Sequence, residues 1–435
     1  MPSNRKIVSS YFAALIVFGL PLNLYWNQSY DDCWTVGEWL ISYAGGFVRR
    51  GLPGSLLFQL STIFHVPVVG LVWAWSIAAY LALALILRRL CFPLVSLPFI
   101  LSPVLLLAPV VGNFLIRKDV YLVLCYGVCL LVIKSYVNLK VNLVQAFFLI
   151  NAIATSAILT HEQFGLWALP SLVSFLAFAS LRVRFLSWTR ALPLSLGFFS
   201  PCLVSTVTVL LHKGNADQAS AIDLAWRAIP NLLSASGQSV GPAGAIDAIG
   251  WSIQQGWRAS GVSVFHAFDG WVWIPGAWIL TILICFSVFV YSPSQDETNL
   301  RKIIAFLQLV CFLPIFIIGF DFGRWIYNWM AVSTLSYGLI NEFRPFVVGQ
   351  SSPTWQSARL VMALQSLAYR LPVIPLSERT SLVVLLLISI PRCCWSLRTY
   401  FVVSPPYYGM FLFKRYWVAL SHWGHLPQSF SYPIF

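Results

Sequence analysis

The sequence predicts an all-α protein, a polytopic bundle that threads a lipid bilayer about 10–12 times. Three observations carry that expectation. Of 435 residues, 59% are hydrophobic and only 9% are charged, against about 25% charged in ordinary soluble domains. Apolar runs recur along the chain at about the 20-residue length a helix needs to cross hydrocarbon. These runs are continuous, whereas a membrane β-barrel would alternate apolar and polar positions in segments of about ten residues. A mean hydropathy of +0.78 agrees.

The first run covers 7–26, behind Arg5 and Lys6. It ends in Leu24-Tyr25-Trp26-Asn27 with no small-residue cleavage site, so it reads as a retained span and not as a signal peptide. Further spans are expected at 66–87, 91–114, 120–136, 142–160, 163–181, 191–211, 271–291, 303–320 and 325–341. A weaker one lies near 381–403, with Arg392 inside it. Residues 1–341 thus form a transmembrane core with loops at 27–65 and 212–270, and 342–435 form a C-terminal segment with a further span and interfacial helices.

Basic residues set the expected orientation. With the N-terminus in the cytoplasm, 15 Lys and Arg fall on the inner side and 8 on the outer, as the positive-inside rule requires. The expected location is the cell (inner) membrane. The net charge of +13 is then a topology signal, and no nucleic-acid partner is expected. Nine cysteines are scattered, mostly in apolar runs, with no C-x-x-C pair. Neither a zinc site nor a disulfide framework follows. No nucleotide-binding loop and no G-x-S-x-G elbow occurs.

Ten of fourteen acidic residues fall on the expected outer side, which topology does not force. They join basic residues in compact clusters. Asp31 and Asp32 leave the first span together. Such a pair suits a general base or an oxygen-ligated divalent cation. Residues 35–43 are expected to form a short interfacial helix, with Trp34 and Trp39 at headgroup depth. Arg49 and Arg50 follow Gly45-Gly46 on the side that normally avoids arginine. They suggest a fixed phosphate, which guanidinium groups bind in a forked geometry; the plain alternative is headgroup anchoring.

Arg117-Lys118-Asp119 stands between the third and fourth spans, and His161-Glu162 in the tight hairpin between the fifth and sixth. Asp321 and Arg324 lie three apart between the ninth and tenth, where they can pair on a helix. Helix capping and a structural ion pair are the plain readings of the last two. The long segment 212–270 is rich in Gly, Ala, Ser and Trp and reads either as a linker or as a loop that orders over substrate.

This layout resembles the GT-C class of membrane glycosyltransferases over about the first 290 residues. The shared features are an acidic pair after the first span, an interfacial helix in the first outer loop, and a long outer loop between spans seven and eight. The resemblance implies a sugar donor carried on a polyprenyl phosphate and a glycan, lipid or protein acceptor. It further implies Asp31 or Asp32 as the base, with Arg49, Arg50 and Arg324 on the lipid phosphate. Arg117, Lys118, His161, Glu162 and Asp321 complete the expected substrate-binding set. Alternatives are a polysaccharide polymerase of O-antigen or exopolysaccharide type, and a lipid-linked-substrate transporter or flippase.

Overall fold

The computed structural model describes residues 2–21, 34–91, 97–100, 104–111, 114–184, 186–229, 244–252, 254–256, 258, 273–292, 294–318 and 322–347, with single positions between 366 and 383. All regular structure among them is helical. The chain is a multi-pass membrane protein, an all-α bundle; among the described residues five helices are long and apolar enough to cross a bilayer, six if one bent pair is a single span.

The N-terminal helix α1 (Pro2–Ala14) runs on into a π-helical turn at Leu15–Gly19. The membrane helices α4 (Val68–Leu90), α7 (Asp119–Val137), α8 (Leu143–Thr160) and α9 (Gln163–Arg184) coincide with expected spans to within a few residues. Asn142 and Gln145 close a reciprocal capping box at the start of α8, which satisfies backbone donors no helix can satisfy itself. The expected span 91–114 is not one helix. Two short pieces, α5 (Leu97–Ile100) and α6 (Leu107–Val111), are what the described residues contain there. Four prolines (Pro93, Pro98, Pro103, Pro109) remove donors and clash with the preceding turn at too many points.

The expected span 191–211 is α10 (Trp188–Phe198) and α11 (Ser200–Leu211), bent by 56° at Phe199. Pro201 cannot donate to the preceding helix, and its ring sets the break. Beyond the segment 212–270 lie α14 (Trp273–Val290), α15 (Gln295–Ile318) and α16 (Phe322–Val347).

α7 packs against α4, α8, α9 and α16, and α16 against α4, α7, α14 and α15. Every residue of α16 from 323 to 339 is buried. That explains how a helix carrying Arg324, Asn328, Ser333, Thr334 and Ser336 resides in a membrane bundle: its polar side chains face protein and never lipid. Tyr126 on α7, Ser171 on α9, Gln308 on α15 and Ser336 on α16 meet in one hydrogen-bonded cluster, joining four helices where apolar packing alone lacks direction.

A second, smaller core lies at one end of the bundle. It gathers α2 (Gly37–Leu40), α3 (Gly51–Phe64), α12 (Ala216–Arg227), α13 (Gly244–Asp247) and the start of α4 around Trp39, Leu57, Ile222, Trp226 and Ile246. The two segments expected as separate loops, 27–65 and 212–270, therefore share an apolar core. The indole of Trp226 donates to Leu40 O at 2.7 Å, and Arg49 N donates to His212 O at 2.9 Å.

Candidate functional site

The site forms where this small core meets the ends of α7, α8, α9 and α16. Residues 34–50 approach the bundle by close backbone contact. Gly54, one turn into α3, lies against the carbonyl of Ile41, where a Cβ would fall 2.0 Å from the oxygen. Gly45 similarly abuts the backbone of Gln218. Arg50, at the N-terminal boundary of α3, has φ 67° and ψ 7°, a left-handed conformation. This costs a non-glycine residue about 1–2 kcal/mol and is tolerated only where the surroundings fix it. The Arg50 side chain is held by Glu162, while the Lys118 ammonium, over the ring of Trp39, bonds Thr160 O at 3.0 Å and reaches Arg50 O at 3.4 Å.

Three carboxylates and five cations interlock. Glu162, in the turn between α8 and α9, accepts from Arg50 Nε at 2.8 Å and Nη2 at 2.5 Å, and from Arg49 Nη1 at 3.3 Å. Glu38 on α2 accepts from Arg117 at 2.9 Å, 79 positions away; its other oxygen, Oε2, is buried and has no hydrogen-bond partner among the described residues. Asp119, first residue of α7, accepts from Arg324 at 2.8 Å, Asn328 at 2.7 Å and Gln163 at 3.4 Å. Trp39 Nε1 donates to Ile116 O and anchors α2 to the turn that presents Arg117.

Electrostatics follow from this packing. Burial works to raise the Glu38 carboxyl, but Arg117, Arg324, His161 and Arg50 overcome it and hold the group at about 2. Burial likewise opposes ionisation of Glu162, and Arg50, His161 and Arg49 drive it well below the carboxylate range. Burial lowers His161 to about 3, with Arg50 adding to the effect, so its imidazole is neutral. Burial also pulls Lys118 down to about 7. For Arg50, burial is outweighed by Glu162 and the group is raised; for Arg49, Glu162 is outweighed by burial and Arg50, and the group is lowered.

Of the residues singled out in the sequence, Arg49, Arg50, Arg117, Lys118, His161, Glu162 and Arg324 are thus brought to one end of the bundle. Asp31, Asp32 and Asp321 lie outside the described residues. Among the described residues Arg324 pairs with Asp119. Asp119 belongs to the Arg117-Lys118-Asp119 cluster of the sequence, though not to the expected binding set; Glu38, Gln163 and Asn328 join without having been singled out as site residues, Gln163 directly after Glu162 and Asn328 as a lone amide in an apolar run. No group of three or more His, Cys, Asp or Glu side chains among the described residues is placed to hold a metal ion.

Exposure divides the cations. The side chains of Arg49 and Arg50 are 31% and 22% exposed, those of Arg117 and Arg324 10% and 5%. Arg117, Lys118 and Arg324 are committed to the framework, whereas Arg49 and Arg50 share one carboxylate and are partly exposed. Two guanidinium groups therefore stand against one carboxylate at this corner, the forked geometry in which arginine meets oxyanions. No family model matches the chain, and neither a curated protein nor a solved structure does.

Proposed function

We propose that the chain is a membrane glycosyltransferase that moves a sugar from a polyprenyl-phosphate-linked donor to an acceptor on the outer face of the membrane. What supports this reading is the partly exposed Arg49–Arg50 pair at one end of the bundle, beside buried charge on Glu38, Arg117, Asp119 and Arg324. In the transfer, the bond from the anomeric carbon to the phosphate oxygen breaks and a bond to the acceptor oxygen forms. The departing phosphate gains negative charge, which fixed guanidinium groups stabilise. The acceptor's proton passes to a carboxylate. Glu38, held at about 2 by its cationic neighbours, is a poor proton acceptor; Asp31 or Asp32 is the proposed base, and a divalent cation is a proposed companion of that pair.

The test is sugar transfer from a synthetic polyprenyl-phosphate sugar in proteoliposomes. Arg49→Ala and Arg50→Ala should each raise the donor concentration needed for half-maximal rate by about tenfold or more, as expected for loss of a charged phosphate contact. Asp31→Asn and Asp32→Asn should abolish transfer while membrane insertion stays intact. Full activity in all four variants overturns the reading. A polymerase would share this chemistry and differ in transferring whole oligosaccharides.

A transporter reading draws on one observation, the buried polar cluster of Tyr126, Ser171, Gln308 and Ser336 among four helices. Ionisable or polar groups at depth often mark a transport path. Movement of a lipid-linked sugar across the proteoliposome bilayer without any transfer product would favour it.

A further inference from the structure

We infer that Glu162 is a built-in competitor for the anion: its carboxylate occupies the place of the ligand's phosphate and is displaced when that phosphate binds. This deepens the reading above and rests on its premise that the Arg49–Arg50 corner receives a lipid-borne phosphate.

The geometry of the three pairs separates Glu162 from the other carboxylates. Glu38 serves one arginine and Asp119 another, both deeply buried. Among the described residues, Glu162 is the one of the three that is shared by two guanidinium groups, each partly exposed. Its two oxygens take three bonds from them, Oε2 from Arg50 Nε and Oε1 from Arg50 Nη2 and Arg49 Nη1. Two oxygens of a phosphate, spaced much as those of a carboxylate, satisfy the same donors, and arginine forks accept either group. A tetrahedral phosphate carries further oxygens that a carboxylate lacks, so it can engage Arg49 more fully than the 3.3 Å contact that Glu162 makes.

Glu162 stands on the two-residue turn between α8 and α9, where Phe164 N donates to His161 O and Gly165 N to Glu162 O. Its ion pairs with Arg49 and Arg50 brace that turn against residues 49–50, and a phosphate that takes over both guanidinium groups removes the brace. Without ligand, the latch keeps two like charges from repelling one another and from capturing the wrong anion. With ligand, the substrate must outcompete an internal carboxylate, so only an anion that engages both guanidinium groups displaces it.

The experiment measures binding of geranyl phosphate, a short isoprenoid phosphate, to the full chain in nanodiscs, with geraniol and inorganic phosphate as controls. Glu162→Gln should bind geranyl phosphate about tenfold more tightly than the wild type, the scale of a lost charge competitor, and geraniol should bind neither. Wild-type binding with equal or weaker binding by Glu162→Gln overturns the latch and leaves the functional reading standing. Absence of binding by both overturns the functional reading and the latch with it. An equal response to inorganic phosphate supports the latch and overturns the lipid as its source. Hydrogen exchange on the wild type settles the matter if the variant does not fold. Geranyl phosphate should speed exchange at the amides of 161–165 and slow it at 49–51; unchanged exchange at 161–165 overturns the latch.

Discussion

The indole nitrogen of Trp226 donates to the carbonyl oxygen of Leu40 at 2.7 Å, 186 positions earlier in the chain. That bond closes the small core over the site and joins two segments that no local signal relates. The ring of Trp226 also packs edge-on against Phe58 at 5.1 Å. Trp226→Phe keeps most of the packing and removes the donor, leaving the Leu40 carbonyl buried and unmet. A loss of about 1–3 kcal/mol is expected, seen as a lower unfolding temperature in detergent and faster proteolysis after residues 212–229.

Gly54→Ala tests the close approach of α3. A Cβ there meets the Ile41 carbonyl carbon and oxygen, which are backbone atoms and cannot swing aside. Overpacking of this kind costs about 1–3 kcal/mol or more. The variant should insert normally yet lose the docking of residues 34–50, read as faster hydrogen exchange at 38–43 and weaker geranyl phosphate binding. Gly70→Ala, with open space around its Cβ position, should change neither.

Asp119→Asn removes the carboxylate that Arg324 bonds at 2.8 Å. Breaking a buried pair from one side costs about 3–5 kcal/mol, so this variant should show a large fall in unfolding temperature. Asp119→Leu combined with Arg324→Met should recover much of that stability, because replacing both charges removes the desolvation cost as well. A double variant as unstable as the single one would contradict this account of the pair.

Stability should rise with pH on two limbs. His161 has an ordinary value of 6.5 and is lowered to about 3 in the folded chain. Between those values only the unfolded chain takes up the proton, so stability falls as pH drops from 6.5 towards 3. Glu38, lowered from 4.5 to about 2, contributes stability above 4.5 that is lost as pH falls through 2. Lys118 is lowered from 10.5 to about 7; between these the unfolded chain holds the extra proton, and stability rises from pH 7 to 10.5. Unfolding temperature against pH should show both limbs, and Lys118→Met should flatten the alkaline one.

Much of the fold is legible in the sequence, for a physical reason. Spans such as 68–90, 119–137 and 143–160 are continuous apolar runs with charge only near their ends, and hydrocarbon admits almost nothing else. The 91–114 run looks equally apolar, but hydropathy does not register that four prolines forbid one helix. The 51–64 helix lies hidden in a segment that Gly45-Gly46 and Arg49-Arg50-Gly51 mark as a turn, because its amphipathic burial depends on α12, far along the chain. Within the site, the residue types at 49–50, 117–118, 161–162 and 324 stand out as charges in an apolar chain. Their pairing does not: nothing local relates Glu38 to Arg117, or Asp119 to Arg324, across 79 and 205 positions.

That last separation bears on how the protein is made. The ribosome delivers Asp119 about 205 residues before Arg324, and chains are synthesised at about 5–20 residues per second. For tens of seconds a carboxylate at the head of α7 must wait beside lipid with its counter-ion unborn. The polar α16 is in the converse position, since it can settle only into a cleft that its predecessors have already formed. The order of translation therefore makes α16 the keystone, and a chain cut short before residue 322 should be recognised by the cell's quality control as unfinished.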